Sequence, residues 1–130
     1  MKREMFFAVL GIVALAFGLG FLLTPDMALR IYGVPTQPHN LMLARYFGSA
    51  LLGFGLIYFL ARDTQDALAV RALLTSEVIG NLIGATISAS AAGNLQNSMA
   101  WTSVVIYVVF AAGGAYYLFA AKPQVGMRVA

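Results

Sequence analysis

Glu77 and Asn81 stand inside an apolar run, LLTSEVIGNLIGATISASAA over residues 73–92. Placed on a helix, Glu77, Asn81, Gly84 and Ser88 fall at i, i+4, i+7 and i+11 and form one narrow stripe. A carboxylate in hydrocarbon costs roughly 2.5–3.5 kcal/mol on insertion scales, so that stripe should face other helices or water. Two chemistries fit such an acid. It could be a proton-coupling carboxylate or the polar anchor of a cavity. It could equally be a protonated acid hydrogen-bonded to Asn81, Ser76 or another helix, and the sequence leaves both open.

Arg45 is the second candidate, about one turn inside the start of another apolar run. It can snorkel toward the outer interface along its own helix or reach inward toward Glu77. At ~1.5 Å of rise per residue, Glu77 lies ~15 Å and Arg45 ~24 Å from the inner side, near the limit of an extended arginine. An outer-leaflet headgroup, Asp26 or a loop contact is the nearer partner for Arg45.

The remaining polar residues assemble no catalytic or metal site. His39 is the single histidine and there is no cysteine, so neither a thiolate site nor a catalytic dyad can be built, and His39 is expected in an interfacial loop. No nucleophile elbow, phosphate loop or zinc motif occurs. Serines and threonines within the apolar runs read as interhelical hydrogen-bonders. The expectation is therefore no enzyme, no cofactor and no metal.

These residues need elements to hold them. The 130-residue chain is 61% hydrophobic and 10% charged, and its apolar residues are gathered into long runs. Runs of ~20 residues suit helices that cross a hydrocarbon layer. Four are present, over about 5–23, 41–61, 67–92 and 99–121, which predicts an all-α, integral membrane four-helix bundle as a single domain over 1–130. In a soluble protein the net charge of +3 would suggest an acidic partner. Here the basic residues sit mostly beside helix ends, and no nucleic-acid role is supported.

The first run admits a second interpretation as a signal peptide, with Lys2 and Arg3 ahead of it and Ala14-Leu15-Ala16 as a cleavage site. Its continuation past Ala16 favours a retained span. Thr24-Pro25-Asp26 then reads as the start of a short helix, with Thr24 as N-cap, Pro25 in the first turn and Asp26 on the dipole. Gly33 closes it at C′, ahead of Pro35. Asp26 and Arg30 share one face and Met27 and Ile31 another, as in an interfacial helix lying between the first and second spans. Asn40 is expected to cap the second span, residues 93–98 to form an uncharged turn, and the tail beyond Lys122-Pro123 to be mobile.

Small residues at spacings of four should let the helices meet: Ser76, Gly80, Gly84 and Ser88 in the third span, and pairs such as Ala14/Gly18, Ala16/Gly20, Ala44/Gly48, Ser49/Gly53 and Ala111/Ala115, with Gly113-Gly114 between the last two, in the others. Internal packing is the favoured use and a dimer the other. Trp101 at one end of the last span and Tyr116, Tyr117 and Phe119 at the other fit aromatic belts. Lys2, Arg3, Arg62, Arg71, Lys122 and Arg128 share one side against Arg30 and Arg45 on the other, which places both termini in the cytoplasm.

Leu43-Ala44-Arg45-Tyr46-Phe47-Gly48, with Gly53-Phe54-Gly55 beyond it, resembles the A-R-x-x-G … G-x-G segment of DoxX-like small four-helix bacterial membrane proteins. Leu22-Leu23-Thr24-Pro25 through Gly33-Val34-Pro35 is similar to the stretch that precedes it there. The likeness covers about the first half of the chain and the four-span layout. It implies the fold, a bacterial inner-membrane location and some importance for Arg45. Some relatives of that kind serve as subunits of membrane oxidoreductase assemblies, but with neither cysteine nor cofactor ligand here the activity does not carry over.

No specific biochemical activity is legible. The leading expectation is a non-enzymatic accessory subunit or binder of a small apolar or amphiphilic ligand, with a polar centre at Glu77, Asn81 and Arg45. The alternative is a small proton-coupled transporter of hydrophobic cations using Glu77. The partners implied are the lipid bilayer and either a second copy of the chain or another membrane subunit.

Overall fold

The computed structural model describes residues 1–95 and 97–120. Its elements are α1 (Arg3–Leu23), α2 (Pro25–Ile31), α3 (Pro38–Leu60), α4 (Ala67–Leu95) and α5 (Ser98–Ala115), the last continuing into a π-helical turn, Tyr116–Ala120. Four stretches are long and apolar enough to cross a membrane: Arg3–Leu23, Pro38–Leu60, Ala67–Asn94 and Ser98–Ala120. The chain forms two compact units, Met1–Arg62 and a second beginning at Asp63.

In the first unit α1 and α3 pack antiparallel, backbone on backbone. A Cβ added at Gly11 would stand 2.9 Å from the Gly55 carbonyl oxygen, and one at Gly18 would stand 3.0 Å from that of Gly48. The reciprocal additions at Gly48 and Gly55 would meet the Gly18 and Gly11 oxygens at 2.8 and 2.9 Å. Lipid tails are as apolar as leucine, so helices in a membrane gain most from this kind of close contact. The spacing is seven residues on both helices, two turns, which keeps the paired glycines on one seam. Gly18 and Phe21, both beyond Ala16, are buried, so the first helix packs along its length. Gly20 and Gly53, from the spacing-of-four ladders, have nothing within 4 Å of an added Cβ.

The α2 helix closes as its sequence requires. Gly33 adopts φ 69°, and the Gly33 and Val34 amides donate to the Arg30 and Leu29 carbonyls at 3.0 and 2.9 Å, the two bonds of a Schellman motif. Leu29 docks α2 on a cluster with Phe21 and Ala44, against which Val34 and Tyr32 also pack. Thr24 does not cap α2 through its side chain; its hydroxyl donates at 3.0 Å to the Gly20 carbonyl, which also accepts the Thr24 backbone amide at the end of α1. Nor does Asn40 cap α3. That helix starts earlier, at Pro38, whose fixed φ and missing N–H suit the first turn, and Asn40 donates back to the Pro35 carbonyl at 2.8 Å. His39 therefore sits in the first turn of α3 rather than in a loop, and it is exposed.

In the second unit Asp66 starts α4, its Oδ1 accepting from the Ala69 amide at 2.6 Å. At 29 residues α4 spans ~43 Å at 1.5 Å per residue, longer than the ~30 Å hydrocarbon layer. It continues through Gly93 and Asn94, where a turn was expected, and Asn94 donates to the Ser90 carbonyl at 3.1 Å, an i−4 acceptor within the helix. Asn97 then caps α5, its side chain accepting from the Met99 amide at 2.8 Å. Gln96 and the tail from Ala121, with Lys122 and Arg128 of the charge asymmetry, lie outside the described residues.

Candidate functional site

The polar stripe of α4 lies against α5. Glu77 is 3% exposed, and Asn81, Gly84 and Ser88 are half-buried. Glu77 and Gly84 are seven residues apart on α4, and they meet Gly114 and Tyr107, seven apart on α5 and in reverse order. Each helix thus offers one large side chain and one glycine. The Tyr107 ring fills the space over Gly84, where an added Cβ would come within 2.8 Å of its Cε1. A Cβ at Gly114 would land inside the Glu77 carboxyl group.

One oxygen of that carboxyl is provided for. The Asn81 amide nitrogen donates at 2.8 Å to Glu77 Oε1 and at 2.8 Å to the Glu77 backbone carbonyl, one turn back on the same helix. Both partners are acceptors, which fixes the amide with its nitrogen toward them. Oε2 is shielded from solvent and has no hydrogen-bond partner among the described residues. An orphaned buried oxygen of this kind is uncommon, since buried polar atoms are nearly always paired.

Other side chains of α4 and α5 make hydrogen bonds along their own helices. Ser76 donates to the Leu73 carbonyl at 2.9 Å, and Thr86 donates to that of Leu82. Buried Ser103 donates to Met99 at 3.2 Å. The Glu77 carboxyl is a polar group that α4 turns onto the backbone of α5.

Of the residues singled out from sequence, Glu77 and Asn81 come together in the second unit. Arg45 belongs to the first, where it is exposed on α3 beside buried Ala44. Gly114 and Tyr107 were not singled out as site residues. Their signal was the matching seven-residue offset on the two helices, which the spacing-of-four search passes over. Among the described residues no three His, Asp or Glu side chains are placed to hold a metal ion.

Residues 9–127 match the model of a family described as a domain of unknown function, DUF8292. The match covers most of the chain, and the protein belongs to that family. No curated protein and no solved structure matches it.

Proposed function

We propose that this DUF8292 member is a non-enzymatic four-span protein of the bacterial inner membrane that binds a small amphiphilic ligand at Glu77. In this reading the four long helices form a bundle with both termini in the cytoplasm. The helix α2 lies in the interface, and the chain acts alone or as an accessory subunit. The resemblance of the Arg45 segment to DoxX-like proteins is consistent with that layout.

The observation that carries the ligand site is Glu77 Oε2, a buried oxygen with no hydrogen-bond partner among the described residues, inside an apolar span. A ligand with an N–H or O–H donor and an apolar tail would satisfy the oxygen and leave its tail among helices. The interfacial reading of α2 is supported by its three faces. Leu29 docks on the protein, Met27 and Ile31 are exposed apolar residues, and Asp26 and Arg30 are exposed and charged.

Dodecylamine titrated into the protein in lipid nanodiscs tests the reading. Binding above that to empty nanodiscs, lost in Glu77→Gln, is expected. Equal uptake by both variants would overturn it. The shielding of Oε2 on all sides also suits the occluded form of a transport site, which keeps proton-coupled export of hydrophobic cations as the second reading. Cation flux in proteoliposomes that is indifferent to Glu77→Gln would remove it.

A further inference from the structure

We infer that the Glu77 carboxyl is a proton-binding site closed by Gly114: with α4 and α5 packed, the exchangeable occupant of Oε2 is a proton. Space is the first argument. Oε2 has no accessible surface, and the carboxyl fills the position a Cβ at 114 would take. A bound water needs two to four polar partners and a volume of its own, and a cation needs more. A proton needs no volume of its own.

Charge is the second argument. The elements packed against α4 in this unit are α5 and the π-helical turn, and residues 98–120 contain no Lys, Arg, His, Asp or Glu. Their titratable groups are Tyr107, which covers Gly84, and Tyr116 and Tyr117 in the π-helical turn. On α4 itself the one basic residue is Arg71, which is exposed and nearly two turns away. A carboxylate here would have one amide donor for two oxygens and, among the described residues of this unit, no counter-ion beside it, a costly arrangement in a low-dielectric span.

Hydrogen bonding then says which oxygen carries the proton. Asn81 donates to Oε1, which makes Oε1 the carbonyl oxygen of the acid and Oε2 its hydroxyl. Losing that proton forces the carboxyl out of the Gly114 notch, so proton release and separation of α4 from α5 at this level are one event. On the ligand reading above, the balance follows. An ammonium ion that pairs with Glu77 displaces the acid proton, and one proton leaves for each cation bound.

Infrared difference spectra of wild type minus Glu77→Gln, in nanodiscs at neutral pH, test this. One carboxylic-acid C=O band that moves on H/D exchange is expected, and it is expected to shift or vanish in Gly114→Ala. In Gly80→Ala, where an added Cβ meets nothing within 4 Å, the band should be unchanged. Carboxylate bands alone in the wild type would overturn the inference, as would a band indifferent to Gly114→Ala. The two proposals fail separately. Dodecylamine binding without the acid band ends this inference alone, and the band without binding ends only the ligand reading.

Discussion

The Glu77 carboxyl lies on the backbone of Gly114, in the place where any other residue would carry its Cβ. The contact joins the least membrane-compatible side chain of α4 to the one residue type that lets it come so close. It makes the acid's position a property of two helices, although the hydrogen bond it accepts from Asn81 comes from its own helix.

Gly114→Ala should therefore destabilise the second unit by about 1–3 kcal/mol, the usual cost of overpacking a tight interior. Helix propensity pulls the other way by ~1 kcal/mol, so a net loss would isolate the steric term. Unfolding in mixed micelles measures it. Combining the change with Glu77→Ala should recover much of the loss, as expected of residues in direct contact.

Asn81→Leu removes the amide that serves Glu77 and should cost about 0.5–1.5 kcal/mol, the usual net worth of one hydrogen bond. Glu77→Gln should stay folded with a smaller change, since a side-chain carbonyl at 77 can still accept from Asn81. Paired melting curves of the two variants decide which group the structure depends on.

On α1 and α3, substitutions of glycine should sort by contact rather than by motif. Gly48→Leu should separate the helices, because an added Cβ already comes within 2.7 Å of the Leu22 amide nitrogen. Gly53→Leu, five residues along the same helix and in open space, should be tolerated. Protease resistance of the two proteins in detergent reads the difference.

Docking of α2 rests on Leu29 and Gly33. Leu29→Ala should cost about 2–5 kcal/mol as a buried large-to-small change. Gly33→Ala should cost about 1 kcal/mol, because the residue holds φ 69°. Hydrogen exchange should show the Val34 amide, bonded to Leu29, losing protection in both.

Orientation can be read directly, because the chain has no cysteine to interfere. With cytoplasmic termini, a cysteine placed at Gln37 should react with an impermeant maleimide in intact cells, and one at Gln65 only after permeabilisation. The reverse pattern would invert the topology.

Much of this was legible in the chain because it is local. Span lengths, the Pro25 start, the Gly33 stop and the i, i+4 relation of Glu77 to Asn81 all depend on residues within a few turns of one another. The polar stripe also marked the buried face of α4, since burying it among lipid tails would be costly. Local signals misled at Thr24 and Asn40, where a side chain that can cap a helix forward instead donates to a carbonyl behind it.

What the sequence by itself determined is the set of helices and the polar residues they carry; which helix faces which, and through which glycines, only the tertiary structure decided. Gly80 and Gly84 belong to the same G-x-x-x-G, yet Tyr107 covers one and the other is open. Gly18 is engaged by α3 and Gly20 by nothing. Helices apolar on every side carry no stripe to say where a neighbour lies, and small residues look alike until another backbone arrives. Glu77 was visible from the start, but the notch that receives it is made by Gly114, 37 residues away on α5.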